Sequence, residues 1–335
     1  MIDAELIYAT LQGWPPRAPS VNVAPNLSAI EDSDYAGTIT ATAAAVSCIR
    51  PTAATFYEYA NPGWRRRFVT TATEIILHFD SLNLVPGSYN GVVAIYVDTV
   101  FTRAVTLAAA AARRYIKLVF STVAAREIEI VMPYSAAIAH AGMTMSVAPS
   151  APASRAGLPR AVFFGDSRPQ GFTATGINTS WPEILCRAKN WQHINLGMGS
   201  RLVTAVDGTM AGNADPDVAF YLCDYNNRTA QTALATFKQL YKDVITNFRA
   251  VKPTTKFYAI TSPWISAAND AGVLTMANYR STIADALTEL ADANNILIDG
   301  LTLTTNSTAS QPDGIHQNDA GCVEMAAAVG AIASV

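Results

Sequence analysis

Charged residues are scarce in this chain: they make up 15% of its 335 residues and leave a formal net charge of −3. The slightly acidic balance argues against a nucleic acid partner, because phosphate backbones are bound by clustered positive charge. With 19 Gly and 17 Pro the chain is not collagen-like, and a 50% hydrophobic content excludes wholesale disorder. No run reaches the roughly 18 consecutive apolar residues of a membrane helix, so we expect a soluble protein without a membrane partner.

Cysteine is also rare, with four residues at positions Cys48, Cys186, Cys223 and Cys322. They show neither a Cys-x-x-Cys pair nor a Cys/His metal spacing, so we expect no metal site. We interpret them as small buried hydrophobes, with a disulfide as the alternative. Residues 1–5 carry acids where a secretory signal carries Lys or Arg, so no signal peptide is predicted in this chain. The localisation stays open, since a signal removed earlier would indicate a secreted or periplasmic protein.

The length predicts two domains. Residues 1–146 contain short runs that alternate apolar and polar side chains, which is typical of antiparallel strands with one face buried; these runs are 74–79, 92–97, 114–120 and 126–132. We predict an all-β domain, a β-sandwich of the jelly-roll type, that is accessory to the second domain. The basic run 64–67 is interpreted as a solvated strand edge.

Residues 147–160 contain three prolines and no acid, which predicts a linker. Over 161–335 short apolar strands alternate with amphipathic helices, which predicts a parallel sheet in an α/β/α three-layer domain. The strands are placed at 161–164, 193–196, 217–222, 256–260 and 296–299, and the helices near 180–190, 229–250, 275–293 and 319–333. Sites on such sheets form at the carboxyl ends of the strands.

Two segments could supply a nucleophile and its base. Ser167 follows the first of these strands in Gly165-Asp166-Ser167, where its hydroxyl is either exposed for chemistry or simply caps a helix. Asp313 and His316 lie three residues apart before the last helix, and they supply the imidazole and orienting carboxylate that a serine nucleophile requires. His78, His140 and His193 lack an acid at this offset, and His78 and His193 lie within predicted strands, so packing is the expected role of these two.

Two further segments could stabilise an oxyanion. Gly197 and Gly199 follow the second strand and allow close backbone approach, while residues 224–227 follow the third and offer asparagine N–H donors. Taken alone, such features are also typical of turns.

In their order and placement these four segments resemble the SGNH hydrolases, also called the GDSL esterase/lipase family, over residues 160–335. The resemblance implies that Ser167 is the nucleophile, with His316 as base and Asp313 as orienting acid. It implies an oxyanion hole made by the N–H groups of Ser167 and Gly199 and by the side chain of Asn226. No metal or organic cofactor is implied.

Two blocks depart from the family pattern. The family glycine of the second block falls at Ser200, one residue after Gly199, and we favour Gly199 as the donor because glycine best tolerates the turn. Asp224 and Asn227 stand where the family usually has glycine and aspartate. Because Asn226 is retained between them, we expect reduced loop freedom and not lost chemistry.

The first domain is similar to the small jelly rolls that precede SGNH domains in bacterial carbohydrate esterases of the acetyl-xylan type. This implies an acylated poly- or oligosaccharide substrate, most simply an acetylated one. Arg168 would contact substrate or form a salt bridge, and Trp264 would stack on a sugar or anchor its loop. The alternatives are a general short-chain carboxylesterase or lipase, and a noncatalytic binding module that retains the SGNH scaffold. The sugar and the oligomeric state stay open.

Overall fold

The computed structural model describes residues 22–23, 65–84, 91–107, 114–134, 136–155 and 157–335, which belong to two compact units. The first unit ends at Gly157 and the second continues from Leu158 to the last residue. This boundary lies inside the range 147–160. The linker role of that range stays a prediction, as do the domain limits 1–146 and 161–335.

The described part of the first unit consists of strands in two antiparallel four-stranded sheets. The strands are β1 (Asn22–Val23), β2 (Arg65–Thr70), β3 (Glu74–Leu84), β4 (Gly91–Val97), β5 (Val100–Leu107), β6 (Arg114–Val119), β7 (Arg126–Val131) and β8 (Ala136–Met145). One sheet has the order β1-β8-β3-β6 and the other β2-β7-β4-β5. One buried cluster takes residues from both sheets, among them Phe68, Ile95 and Ile128 from the second and Ile75 and Ile116 from the first. Two sheets sharing a core are typical of a sandwich, and the jelly-roll topology stays a prediction.

The basic run does not form a solvated edge, so that interpretation was wrong. Arg65 and Arg67 lie on β2, at one edge of the described sheet, yet each is only 2% exposed. Arg65 Nη1 is 2.9 Å from Glu129 Oε1, and Arg67 Nε donates to Glu127 Oε1 at 2.9 Å. Because the acids of β7 lie on the same face as these arginines, the polar face of the strand pair is neutralised by ion pairs and needs no solvent to stabilise its charges.

The second unit is built on a sheet of five parallel strands in the order β10-β9-β11-β12-β13. The strands are β9 (Arg160–Gly165), β10 (Gln192–Gly197), β11 (Val218–Leu222), β12 (Lys256–Ile260) and β13 (Asn295–Ile298). The helices are α1 (Ser167–Gln170), α2 (Trp181–Lys189), α3 (Val206–Asn213), α4 (Tyr225–Thr229), α5 (Leu234–Val251), α6 (Met276–Leu290) and α7 (Asp319–Ile332). Helix α2 packs with α7, and α5 packs with α3 and α6. The parallel sheet with flanking helices confirms the predicted α/β class of this unit.

Aromatic rings fill the layer beside the central strands. Phe163, Phe220 and Tyr258 are register partners on β9, β11 and β12, and their rings stack at centroid distances of 4.9 and 5.1 Å. The indole of Trp181 meets the Phe163 ring edge-on at 5.1 Å. Burying these large side chains stabilises the sheet and fixes the positions of the loops that follow its strands.

The buried positions of Cys186, Cys223 and Cys322, all with free thiols, confirm the interpretation of these three cysteines, and Cys48 lies outside the described residues. Among the helices of the described ranges, none is long and apolar enough to cross a membrane.

Candidate active site

Ser167 is the first residue of α1, directly after the turn that ends β9. The turn requires glycine at position 165, because Gly165 has φ +126° and a Cβ there would lie 2.0 Å from the carbonyl oxygen of Leu222 on β11. Asp166 caps α1 by accepting a hydrogen bond from the Arg168 N–H at 3.0 Å. The N–H of Ser167 belongs to the first turn, whose N–H groups have no partner within the helix.

The structure brings His316 and Asp313 to Ser167. Ser167 Oγ lies 2.8 Å from His316 Nε2, and His316 Nδ1 lies 2.6 Å from Asp313 Oδ2. The other carboxylate oxygen, Asp313 Oδ1, accepts the backbone N–H groups of Ile315 at 2.9 Å and His316 at 2.7 Å. A hydroxyl, an imidazole and a carboxylate thus form one continuous hydrogen-bonded chain.

The negative charge of the Asp313 carboxylate is stabilised by its hydrogen-bond partners. Burial by itself would raise the pKa of the Asp313 carboxyl, but the imidazole of His316 and the two backbone N–H donors outweigh burial, so the pKa lies below its ordinary value. Asp313 is therefore a carboxylate at neutral pH. As an acceptor only, it requires a proton on Nδ1 of His316, which leaves the lone pair of Nε2 directed to Ser167.

A neighbouring loop holds the Asp313–His316 loop. Asn269 Nδ2 donates to the carbonyl oxygen of Asp313 at 2.7 Å, and the Ser266 N–H donates to that of Gly314 at 2.9 Å. Gly314 has φ +74°, and a Cβ there would lie 2.4 Å from Ser266 Oγ. Gln311 Nε2 donates to the carbonyl oxygen of Trp264 at 2.6 Å. Asn269, Ser266 and Gln311 carry no sequence signal for this role, because their contacts are made to backbone atoms distant in sequence.

The loops after β10 and β11 reach the same edge of the sheet. The N–H of Met198 donates to the carbonyl oxygen of Gly165 at 3.0 Å, which ties the β10 loop to the nucleophile turn. The left-handed residue of this loop is Ser200, with φ +63°, and Gly199 is not among the residues with positive φ. The conformation that glycine tolerates best is therefore adopted by Ser200 and not by Gly199, and the choice of Gly199 as the donor stays a prediction.

Asn226 lies in the first turn of α4, and its Nδ2 donates to the carbonyl oxygen of Arg201 at 3.0 Å. This bond fixes which end of the amide faces the β10 loop and leaves a second N–H on the same nitrogen. Arg201 is itself held by Asp207, with Nε 3.0 Å from Asp207 Oδ1. Sequence reasoning missed Asp207 because α3, which carries it, has no clear apolar periodicity.

Arg168 is not a substrate contact, which corrects the first of its two predicted roles. Its side chain is 1% exposed and runs into the interior, where it pairs with Asp166 and Asp224. Burial by itself would lower the pKa of this guanidinium, but the two carboxylates raise it well above its ordinary value. The second predicted role, a salt bridge, is correct, but the bridge is buried and not at the surface.

Trp264 follows β12 and is half-buried, and its carbonyl oxygen is the acceptor for Gln311. This places its backbone beside the Asp313–His316 loop, and stacking on a sugar stays a prediction. His193 is buried in β10 with Nδ1 2.6 Å from Glu183 Oε2, in keeping with a packing role. The side chains of His78 and His140 lie outside the described part of the chain. Within that part, no group of three His, Cys, Asp or Glu side chains could hold a metal ion.

A parallel α/β/α unit with a serine at the turn after β9, and an Asp-x-x-His pair before the last helix, defines the class of SGNH-type hydrolases. Residues 163–322 match the sequence model of the GDSL-like Lipase/Acylhydrolase family. The matched residues lie in the second unit, which has the fold and site arrangement of an SGNH hydrolase, and the protein is an ester-bond hydrolase.

Solved structures share the fold at low sequence identity. A salicylyl-acyltransferase from a tetracycline biosynthetic pathway has a TM-score of 0.76 and 15% identity, with 93% of this chain and 96% of that chain covered. A family two carbohydrate esterase from Clostridium thermocellum, in complex with cellohexaose, has a TM-score of 0.64 and 15% identity over 82% and 92%. An acetyl xylan esterase from the rumen bacterium Butyrivibrio proteoclasticus has a TM-score of 0.64 and 10% identity over 91% and 94%. No curated protein sequence matches the chain.

Proposed function

We propose that this protein removes acyl groups, most simply acetyl, from a carbohydrate by a Ser167–His316–Asp313 acyl-enzyme mechanism. The observation that carries the proposal is the hydrogen-bonded chain of 2.8 and 2.6 Å that joins these three side chains. It is the arrangement that a serine nucleophile needs, because the imidazole must accept the hydroxyl proton and the carboxylate must hold the imidazole in the correct tautomer.

In the first step Ser167 Oγ attacks the ester carbonyl as its proton passes to His316 Nε2. The tetrahedral oxyanion is stabilised by the N–H of Ser167, by the Asn226 amide and by a backbone N–H of the β10 loop. We propose that Gly199, or alternatively Ser200, is the source of that last N–H. The proton on His316 then goes to the departing alcohol. In the second step water attacks the acyl-enzyme, His316 takes its proton, and Ser167 is restored as the acid leaves.

The carbohydrate assignment is supported by the kind of proteins that share the fold. The esterase from Clostridium thermocellum is described with a cello-oligosaccharide, and the Butyrivibrio proteoclasticus protein as an acetyl xylan esterase. The first unit, proposed to be a jelly roll, would be an accessory domain in such an enzyme. Trp264, beside the Asp313–His316 loop, is the proposed stacking surface for a sugar ring.

A second candidate function is acyl transfer to an alcohol instead of water. It is favoured by the coverage of 93% and 96% with the salicylyl-acyltransferase, which extends over both units. The chemistry would use the same acyl-enzyme, with the acceptor hydroxyl giving its proton to His316. An added alcohol that diverts most of the acyl group into a new ester at millimolar concentration would support this candidate over hydrolysis.

The test is hydrolysis of p-nitrophenyl acetate and of acetylated xylo- and cello-oligosaccharides by the wild type, Ser167→Ala and His316→Ala. We expect both variants to lose at least about a thousandfold in kcat. Ser281→Ala, a serine exposed on α6, is the matched control and should retain wild-type rates. Faster hydrolysis of p-nitrophenyl butyrate than of acetate, with inert acetylated sugars, would favour a general carboxylesterase or lipase. A folded wild type without any ester hydrolysis would favour the noncatalytic binding module.

A further inference from the structure

Arg168 directly follows the proposed nucleophile in sequence, but the described polar contacts of its guanidinium are made with buried side chains. Nη2 donates to Asp166 Oδ2 and to Asp224 Oδ1, both at 2.6 Å, and Nε donates to Asp166 Oδ1 at 3.1 Å. Nη1 donates to Ser262 Oγ. All four side chains are buried. Charged groups this deeply buried need close ion-pair and hydrogen-bond partners in place of water, and these partners restrict their geometry.

The partners of Arg168 belong to loops that follow three adjacent strands. Asp166 comes after β9 and precedes Ser167. Asp224 comes after β11 and precedes α4, which carries Asn226. Ser262 comes after β12 and begins the segment that reaches Ser266 and Asn269, the residues that hold the Asp313–His316 loop. The Arg168 guanidinium is therefore hydrogen-bonded to three segments. They are the turn before Ser167, the residue before α4, and the start of the segment that supports the Asp313–His316 loop.

The contacts of Asp224 show why this position is not glycine here. Its Oδ1 also accepts the Ser262 hydroxyl at 2.6 Å, and its Oδ2 accepts the Ser262 N–H at 2.8 Å. Arg280 supports the same loop by donating to the carbonyl oxygens of Ser262 and Pro263 at 2.8 and 2.7 Å. The guanidinium makes four side-chain hydrogen bonds from three nitrogens held in one plane, and a lysine ammonium, with three donors on a single nitrogen, cannot reproduce that arrangement.

We propose that Arg168 is a positioning residue: by bonding Asp166, Asp224 and Ser262 together, it sets the distance between Ser167, the Asn226 amide and the His316 loop. This rests on the proposed function of Ser167, His316 and Asn226. Arg168 does not touch substrate, so its loss should slow the chemical step and leave ground-state binding nearly unchanged. It should also leave the pH dependence of kcat in place, because the bond between His316 and Asp313 is not altered.

Two conservative variants and a double variant test the proposal in the full chain. Arg168→Lys retains the charge without the planar arrangement of donors, and Arg168→Met removes both. Arg249→Lys is the matched control, because Arg249 is also largely buried and bonds Asp292, Asn295 and two backbone carbonyls away from the site. Each variant is assayed for kcat and KM with p-nitrophenyl acetate, for its thermal midpoint, and for the rate at which a fluorophosphonate labels Ser167.

We expect Arg168→Lys to lower kcat and the labelling rate by ten- to a hundredfold, with KM within threefold and the pH midpoint of kcat unchanged. Arg249→Lys should lower the thermal midpoint by a similar amount without changing kcat. Arg168→Met leaves two adjacent buried carboxylates, so adding Asp224→Asn should restore part of its lost labelling rate. Such a recovery, with both the single and the double variant folded, would show that the loops of Asp166 and Asp224 are coupled through Arg168.

The proposal is overturned if Arg168→Lys loses thermal stability but keeps wild-type kcat and labelling, because Arg168 is then structural only. A wild type that is labelled by the fluorophosphonate but hydrolyses no ester contradicts the proposed function, and the labelling rates of the variants still decide the role of Arg168. A wild type that is neither labelled nor active overturns both, since it has no activated serine to position.

Discussion

Asp313→Asn changes the proposed triad by one atom. In the wild type, Oδ1 of Asp313 accepts two backbone N–H groups while Oδ2 accepts Nδ1–H of His316 at 2.6 Å. An asparagine has one acceptor oxygen and one NH₂ group to fill both positions. If its oxygen keeps the backbone N–H groups, its NH₂ faces Nδ1 of His316. If the amide is turned, the NH₂ faces two backbone donors.

The first arrangement is expected, because the NH₂ group then faces only Nδ1 of His316 and not two backbone N–H donors. It requires a lone pair on Nδ1 of His316 and so places the ring proton on Nε2, where it blocks acceptance of the Ser167 proton. Removal of the orienting carboxylate in this way costs about 10⁴ in kcat, or about 5.5 kcal/mol of barrier. The cost in stability is smaller, about 1–3 kcal/mol, since one charged hydrogen bond is replaced by a neutral one.

The measurement is kcat for p-nitrophenyl acetate, with the free energy of urea unfolding measured on the same preparations. Asp299→Asn is the matched control, because Asp299 also accepts a backbone N–H, from Leu301 at 3.0 Å, but lies after β13. It should keep wild-type kcat. An Asp313→Asn enzyme that is folded and within tenfold of wild-type kcat would refute the assignment of Asp313 as the orienting acid.

Three further outcomes are expected. Asn226→Ala should lower kcat by about 10²–10³ with little change in KM, because the N–H that Asn226 Nδ2 does not give to Arg201 would bond the oxyanion and not the ground-state substrate; a change confined to KM would contradict that role. Ser200→Gly should retain kcat and raise the free energy of unfolding by about 1 kcal/mol, since φ +63° is strained for serine; a large loss of activity would mean that the hydroxyl takes part. The pKa of Glu324 is lowered by the N–H of Thr305 and by hydroxyl donors, so its stabilisation is complete above its unfolded pKa of about 4.3 and is lost as the pH falls through the lower folded value. The difference in unfolding free energy between the wild type and Glu324→Gln should therefore be constant from pH 7 to 5 and shrink as the pH is lowered further, and a difference that grows with acidification would contradict this.

The sequence was sufficient where local pattern and global fold agree. The strands of the second unit are short apolar runs between turn residues, and β12 was predicted with the observed bounds, Lys256–Ile260. The proximity of Ser167 to Asp313 and His316 was also expected, from the chemistry of an Asp-x-x-His pair before the last helix and from the resemblance to the SGNH hydrolases. The short helices α3 and α4 were missed, since five to eight residues carry too little periodicity to be recognised.

The remainder depends on contacts that no local pattern encodes. A hydrophilic run such as 64–67 is typical of solvent exposure, and only the pairing of β2 with β7 places acids beside its arginines. Arg168 was assigned a surface role for the same reason, because Asp224 is 56 residues away in sequence. The left-handed residue of the β10 loop was expected at a glycine but lies at Ser200, where the fold imposes the conformation at the expense of local preference.

Asp313 and His316 lie on one loop, whereas Ser167 lies on another, so the site consists of two separate segments. A shift of that loop changes the 2.8 Å distance to Ser167 and leaves the 2.6 Å bond between imidazole and carboxylate intact. Loosening the contact from Asn269 to Asp313, as in Asn269→Ala, should thus reduce turnover while the low-field proton resonance of the short His–Asp hydrogen bond persists in the NMR spectrum. In this fold the hydrogen bond that orients His316 can stay intact while the distance from His316 to Ser167 changes. An NMR signal from the His316–Asp313 bond therefore does not report whether His316 is placed to accept the Ser167 proton.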